Sequence, residues 1–169
     1  MLAFHKTESL RLNVGSGNKR IEGFTNVDLD GEADIHADVT DIPLPDNCAD
    51  EIIAIHVLEH LERWNAPKAL AEWYRLLKPG EILIIELPDI IKCCKNLLNN
   101  VRDEDSIHGI YGDPSQQNPL MCHRWGYTEK ELTGLLEKAG FVDIESKQPH
   151  FHCGRKRYRD MRLEARKQK

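Results

Sequence analysis

The chain has 169 residues, of which 40% are hydrophobic and 30% are charged, and its mean hydropathy is −0.53. These values predict one globular domain over residues 1–169. They exclude a membrane span, since no apolar run approaches the roughly 18 residues that one requires. The first residues also lack the apolar stretch of a secretory signal, so we expect the protein in the cytoplasm.

The net charge of −5 is unevenly distributed along the chain. Residues 155–169 carry eight basic and two acidic side chains, so this segment is +6 and the part before it is −11. An acidic body repels nucleic acid, and a short basic end is typical of a solvated strand or terminus. The charge pattern therefore disfavours nucleic acid as a partner.

Apolar runs alternate with helical patterns, which is typical of an α/β domain with a mainly parallel sheet. We expect strands at 11–14, 25–29, 35–39, 51–55, 82–87, 141–145 and 161–165. One helix is predicted over 66–77, with Asn65 as its N-cap and Pro79 beyond its end. A second begins at Thr128, where Thr128 and Glu131 form a capping box, and ends at Gly140.

A glycine-containing turn directly follows the first strand. Open parallel sheets bind ligands at the carboxyl ends of their strands. Gly15, Ser16 and Gly17 occupy that position, and their backbone N–H groups are expected to approach a ligand closely. Arg20 stands where the dinucleotide fingerprint has its third glycine, so the turn does not match that fingerprint.

Acidic residues follow the second and third strands. We expect Asp28 to accept two hydrogen bonds from a ribose diol. Leu29 would then lie against one face of a base, and Asp38 with Val39 would meet its edge. The alternative is that the acids here are solvated loop carboxylates. Glycines combined with acids suit a cationic nucleoside better than a pyrophosphate.

Five ordered segments carry a family resemblance: LNVGSG (12–17), NVDLD (26–30), ADVTDIPLPDNCADEI (37–52), HVLEHL (56–61) and LLKPGEILIIELPD (76–89). In this order they resemble the class I S-adenosylmethionine-dependent methyltransferases, in particular the short type 11 branch. The resemblance implies a Rossmann-like fold with a mainly parallel seven-stranded sheet and a final antiparallel strand. It also implies S-adenosylmethionine as cofactor.

The resemblance assigns roles to matching positions. Gly15 to Gly17 would hold the methionine end of the cofactor, Asp28 the ribose and Asp38 the adenine. The segment from His56 onward would flank the sulfonium and the acceptor, which makes His56 a candidate for both cofactor binding and catalysis. His123 is the second catalytic candidate, because segment 107–127 has the composition of a loop that forms a lid or acceptor pocket.

Two departures from the family pattern stand out. Asn13 replaces an acid that usually lies two residues before the first glycine. Only eight residues separate Gly17 from Asn26, and the link from Leu29 to Ile35 is shorter still. The first helix is therefore expected to be stunted, and the next to be missing. One sheet face would be thinly covered, which a homo-oligomer contact could complete.

Metal chemistry is the main rival interpretation. His56, Glu59 and His60 match H-x-x-E-H, a zinc-hydrolase pattern when it lies on a helix. A second set, Cys122, His123, His150, His152 and Cys153, fits no common zinc spacing. The five cysteines of the chain are odd in number and contain no C-x-x-C pair, so we predict free thiols. The H-x-x-E-H motif follows directly on the strand predicted over 51–55, and no third ligand is evident nearby, so we predict no metal site.

The sequence gives the least information about the methyl acceptor. The chain has HVLE where adenine-N6 and cytosine-N4 DNA methyltransferases have an (N/D)PP(Y/F) loop, which disfavours that class. With no appended recognition domain in the sequence, we favour a small molecule, a sugar or a glycan intermediate as acceptor. The alternative from another class is a catalytically inactive cofactor-binding protein or an adaptor.

Overall fold

The computed structural model describes residues 9–101, 103–151 and 158–169. Its strands are β1 (Arg11–Val14), β2 (Thr25–Asp28), β3 (Ile35–His36), β4 (Ala49–Ile55), β5 (Leu77–Pro88), β6 (Phe141–Lys147) and β7 (Asp160–Lys167). They form one seven-stranded sheet in the order β3-β2-β1-β4-β5-β7-β6. The first five strands pair in parallel, and β7 runs antiparallel to both β5 and β6. The predicted sheet with its final antiparallel strand is confirmed.

Four α-helices accompany the sheet: α1 (Ala66–Leu76), α2 (Ile90–Leu98), α3 (Asp103–Tyr111) and α4 (Glu129–Lys138). Helices α1 and α4 were predicted, whereas α2 and α3 were not. Part of the expected loop 107–127 is therefore helical, and it also contains short 3₁₀ turns at Pro114–Gln116 and Pro119–Met121. Asp89 is the N-cap of α2, and its side chain accepts from the N–H of Ile91 at 2.9 Å.

The predicted caps are realised in part. Thr128 Oγ1 accepts from the N–H of Glu131 at 3.1 Å, as a capping residue should. The Glu131 side chain does not complete the box, because it accepts from Arg63 Nε at 2.9 Å instead. Asn65 occupies the N-cap position of α1, but its side chain makes no capping hydrogen bond.

The hydrophobic core lies on one face of the sheet, under α1 and α4. Leu12 and Val14 of β1 point into it, together with Trp73 of α1 and Leu136 of α4. Trp73 is fully buried, and its Nε1–H donates to the carbonyl of Val39 at 2.9 Å. This bond satisfies the one polar group that the large ring brings into the core.

The opposite face of the sheet carries polar side chains near β1 and β2. No helix forms in 15–24 or 29–34, so the expected stunted first helix is replaced by turns, and the second helix is missing as predicted. Arg11 pairs with Glu51 at 2.6 Å on this face, and Asn13 donates to Asn26 Oδ1 at 2.9 Å. Both asparagines are buried.

The turns between β1 and β2 supply part of the cover for this polar face. Asn13 Nδ2 also donates to the carbonyl of Lys19, at 2.9 Å. Asp34 accepts from the side chain of Asn26 at 3.0 Å and from Arg20 at 2.5 Å. Hydrogen bonds between polar groups, rather than exposed apolar side chains, occupy this face near β1 and β2. A homo-oligomer contact on this face remains a prediction.

Among the helices that the structure describes, none has the length and apolar content needed to cross a membrane.

Candidate cofactor and acceptor site

The glycine turn after β1 is built differently at its two glycines. Gly15 has φ +66°, and a Cβ there would lie 2.5 Å from Cγ2 of Val57, so only glycine lets the turn pack against the chain that follows β4. Gly17 has φ +51°, and its Cβ position has no atom of the described chain within 4 Å. Gly17 therefore faces open space that a ligand can enter.

The backbone amides of this turn are engaged within the protein. The N–H groups of Gly15 and Ser16 both donate to the carbonyl of Val27, at 2.8 and 3.2 Å. Gly17 N–H donates to Oδ2 of Asp28 at 2.8 Å. Contrary to the expectation from the sequence, these three N–H groups are not free for a ligand in this conformation. What the turn leaves for a ligand is the open space beside the Gly17 Cα.

Asp28 and Leu29 lie beside that turn. Asp28 ends β2, and its Oδ1 accepts from the N–H of Asp30 at 3.0 Å while its Oδ2 accepts from Gly17. These bonds fix the carboxylate at the carboxyl edge of the sheet. The side chain of Leu29 is 57% exposed, which places a large apolar group next to a carboxylate at the surface.

Asp38 and Val39 differ in what they offer. Asp38 is exposed, and its Oδ1 accepts from both the N–H and the Oγ1–H of Thr40, each at 2.8 Å. The Val39 side chain is buried in the core, so it cannot line a surface site. Any contribution of Val39 to a ligand site comes from its backbone.

A cleft of about 550 Å³ opens beside the glycine turn. It is lined by Gly15 and Ser16, by the following residues 18–21, and by Asn13, Glu32, Ile55 and Phe151. Its volume suits a nucleoside-sized ligand. Asp28 and Asp38 lie outside its lining, so the cleft meets the predicted site only at the glycine turn.

His56 lies between two buried carboxylates. The residue directly follows β4 with φ +56°, a conformation that is uncommon for a residue with a side chain. Its Nδ1 is 2.8 Å from Oε1 of Glu59, and its Nε2 is 3.1 Å from Oδ2 of Asp160. Burial favours the neutral imidazole, but the charges of Glu59 and Asp160 outweigh it and raise the pKa of His56 to about 9.

A protonated His56 does not fit the role of a general base. At neutral pH the raised pKa keeps the proton on the ring, so the ring cannot take another from an acceptor. The two carboxylates also fix the ring orientation. His56 is therefore better described as a positioning residue that holds Glu59 and Asp160 together.

The zinc-hydrolase interpretation of His56, Glu59 and His60 is wrong in its geometry. That pattern needs a helix to bring two histidines to one face, whereas only Leu58–His60 forms a 3₁₀ turn and His56 lies before it. Both ring nitrogens of His56 also face carboxylates rather than a shared ligand position.

The structure brings His123 to the same place. One ring nitrogen of His123, one of His60 and a carboxylate oxygen of Glu59 lie within 4.8 Å of one another. The two imidazole rings are nearly perpendicular, with centroids 4.8 Å apart. Burial lowers the pKa of His123 despite the opposing charge of Glu59, so this ring stays neutral at neutral pH.

Segment 113–127 is docked on the turn that follows β4. The N–H groups of Arg124 and Trp125 donate to the carbonyl of Glu59, at 2.7 and 3.3 Å, and the N–H of His123 donates to Tyr111 at 3.1 Å. These bonds fix segment 113–127 against the backbone of Glu59 and against the end of α3.

The other metal candidates from the sequence do not join this group. Cys122 and His150 are both exposed, and neither belongs to the group of Glu59, His60 and His123. His152 and Cys153 lie outside the described residues. Cys48, Cys93 and Cys94 are free thiols, as predicted, and so is Cys122.

Sequence reasoning missed the role of two buried acids. Asp160 is 0% exposed and reaches His56 from β7, 104 residues away along the chain. Glu59 appeared only as part of the zinc pattern, although it lies at the centre of the site. Nothing local in the sequence around Asp160 indicates this contact, whereas the acidic residue within HVLEHL was visible.

Comparison with known proteins finds methyltransferases among the proteins that this chain resembles. Residues 13–85 match the family model described as a methyltransferase domain. A probable S-adenosylmethionine-dependent methyltransferase of Mycolicibacterium smegmatis is 29% identical over 69% of this chain and 37% of its own length. One from Mycobacterium tuberculosis is 29% identical over 65% of this chain and 33% of its own length. The chain thus spans about a third of the length of these curated relatives.

Solved structures share the fold at lower sequence identity. A methyltransferase from Methanosarcina mazei superposes with a TM-score of 0.68 at 19% identity, over 95% of this chain and 93% of its own. A possible histamine N-methyltransferase from Thermotoga maritima gives a TM-score of 0.62 at 17% identity, over 95% and 83%. The complete arrangement of strands in this chain is therefore that of known methyltransferase structures.

Proposed function

We propose that this chain, a member of the class I S-adenosylmethionine-dependent methyltransferase family, binds S-adenosylmethionine and transfers its methyl group to a small-molecule, sugar or glycan acceptor. The observation that carries the proposal is the position of Asp28. Its carboxylate ends β2 beside the open side of Gly17, and the exposed Leu29 follows it. A ribose and the attached base need this sequence of groups.

The residues present fit a cationic nucleoside. An ionised carboxylate has about four acceptor sites, and Asp28 uses two of them on backbone N–H groups, so capacity remains for ribose hydroxyls. Leu29 offers an apolar surface for one face of adenine. Asp38 offers its remaining acceptor capacity to the adenine edge, and Gly17 leaves room for the methionine end.

S-adenosylmethionine supplies an electrophilic methyl group on its sulfonium when bound. Methyl transfer is an in-line displacement, so this chain contributes mainly alignment and exclusion of water. Segment 113–127 supports both tasks, because its backbone is tied to Glu59. His56 positions the turn after β4. The neutral ring of His123 can accept the proton that a hydroxyl or amine acceptor releases.

Charge and exposed aromatic groups support the acceptor class. The acidic body disfavours a nucleic acid. Trp64 and Trp125 are exposed, the first shortly after the turn that follows β4 and the second within segment 113–127. Flat apolar rings of this kind suit the face of a sugar.

Isothermal titration of the purified chain with S-adenosylmethionine, S-adenosylhomocysteine and NAD tests the proposal. We expect binding of the two adenosyl ligands and none of NAD. Candidate acceptors are then screened by release of S-adenosylhomocysteine, with sugars and small molecules in one panel and an RNA oligonucleotide in another.

Each outcome has a definite meaning. Binding and turnover on the first panel support the proposal, and turnover on RNA alone overturns the acceptor class. Binding without turnover on either panel favours the inactive or adaptor alternative. Failure of both adenosyl ligands to bind overturns the cofactor assignment.

A further inference from the structure

The proposed methyl-transfer mechanism does not explain why Glu59, His60 and His123 lie together. Glu59 and His60 come from the 3₁₀ turn after β4, and His123 comes from segment 113–127. The three side chains therefore converge from two parts of the chain that only the fold brings together. Their nearest polar atoms lie within 4.8 Å of one another.

Buried polar atoms in this group lack hydrogen bonds. Glu59 is 1% exposed, and its Oε2 has no partner among the described residues. Its Oε1 lies 2.8 Å from Nδ1 of the protonated His56 ring, an ion pair that occupies one side of the carboxylate. Nδ1 of His60 is also buried and has no partner among the described residues. Such atoms are costly unless a further group satisfies them.

The second histidine is held in the tautomer that a ligand needs. Nδ1 of His123 lies 2.9 Å from the carbonyl oxygen of Gly109. A carbonyl can only accept, so Nδ1 carries the proton and Nε2 keeps its lone pair. Histidines that bind metals are oriented in this way by a carbonyl or carboxylate on their other nitrogen.

We propose that Glu59, His60 and His123 bind a first-row divalent metal ion, for which Zn²⁺ is the closest match. Two imidazoles and one carboxylate are a known zinc donor set, and they leave a position open to water or to an oxygen of a substrate. The inference goes beyond the proposed methyl transfer and does not rest on it. It also revises the expectation from the sequence that the chain has no metal site.

The geometry requires the group to close on loading. Two donor atoms at tetrahedral positions on one zinc ion lie about 3.4 Å apart, since each bond is about 2.0 to 2.1 Å long. The donor atoms of the group, which now lie within 4.8 Å of one another, would therefore move together by up to about 1.4 Å. Because His123 belongs to the segment docked on Glu59, a bound ion would fasten this segment to the turn after β4.

The metal site and the proton-accepting role of His123 exclude each other at Nε2. A metal-bound Nε2 has no free lone pair for a proton. Metal binding would therefore replace the base that His123 supplies in the proposed mechanism with an ion that can activate an acceptor hydroxyl.

The test uses the full chain, stripped with a chelator and then titrated with Zn²⁺ by calorimetry, with bound metal counted by elemental analysis. We expect one ion per chain and a rise in melting temperature on loading. The variants His60→Ala and His123→Ala should each weaken binding by at least about tenfold. His108→Ala, which removes a histidine of α3 outside the group, should bind as the parent chain does.

A cysteine control separates this site from adventitious binding. The double variant Cys122→Ser and Cys153→Ser should retain full affinity. Co²⁺ provides a second readout, since its visible spectrum should change in the His60 and His123 variants and not in His108→Ala. The proposal is overturned if no ion binds to the chain. Binding that survives both histidine variants, or that disappears with the two cysteines, would overturn it as well.

Discussion

Asp28 is the residue on which the proposed cofactor site depends most. Its carboxylate bonds to Gly17 and Asp30 while retaining acceptor capacity for two hydroxyls. We expect Asp28→Ala to weaken binding of S-adenosylhomocysteine by about tenfold or more, because hydrogen bonds to a charged group contribute about 1.5 to 3 kcal/mol. Isothermal titration calorimetry measures the change.

Asp30→Ala is the matched control, because Asp30 is an exposed acid two residues away. It should leave the affinity unchanged. If Asp28→Ala bound the ligand as tightly as the parent chain, the ribose would have to be held elsewhere and the assignment of Asp28 would be wrong.

Residues differ in how far the sequence alone could predict their roles. The positions of Asp28 at the end of β2 and of the exposed Leu29 after it followed from local features, whereas their roles toward a ligand remain predictions. The ion pairs of the His56 ring could not be predicted, because they depend on Asp160, which is distant in sequence and adjacent only in the sheet. Long-range contacts between buried charges leave no periodic signal in the sequence, and they decide which histidine can act as a base.

Elements were predictable where their pattern was strong. The strands were placed by their apolar runs, and α1 and α4 by an apolar stripe with end signals. Helix α3 was missed because its amphipathic pattern is weak. Helix α2 was missed although its apolar residues recur at helical spacing and Asp89 caps it. Strand β3 was predicted over 35–39 but covers only Ile35–His36, since Asp38 turns back to bridge with Asp41.

Glu86 joins β5 to β7 on the polar face of the sheet. It is fully buried and lies 2.9 Å from Arg162, and its oxygens also accept from the N–H groups of His150 and Phe151, at 2.6 and 3.0 Å. Glu86→Ala leaves Arg162 with Glu164 alone as its carboxylate partner, at 2.6 Å, and removes the acceptor of two N–H groups. We expect it to lower the free energy of unfolding by about 3 kcal/mol, measured by urea denaturation.

Glu145→Ala supplies the comparison at an exposed ion pair. Glu145 pairs with Lys147 on β6, and both side chains are largely in water. Such pairs contribute little, so the unfolding curve should not change measurably. Equal effects of the two variants would show that burial is not what makes the Glu86 pair important.

The two ends of the sheet differ in strand length and in helix cover. Strands β4, β5 and β7 have 7, 12 and 8 residues and lie against or beside the helix-covered core. Strands β1, β2 and β3 have 4, 4 and 2 residues, and turns rather than helices join them. The candidate cofactor site lies at this end of the sheet, so binding is coupled to the part of the fold with the fewest packed elements.

Hydrogen exchange should show this division directly. Local opening requires less free energy where few buried contacts hold a strand, so we expect the amides of β2 to exchange at least about tenfold faster than those of β5. Saturating S-adenosylhomocysteine should slow exchange in β2 and in the turn after β1, and leave β5 unchanged. NAD, added at the same concentration, should protect neither region. Uniform protection without ligand would contradict this division between the two ends of the sheet, whereas protection of β5 alone would place the ligand away from the glycine turn.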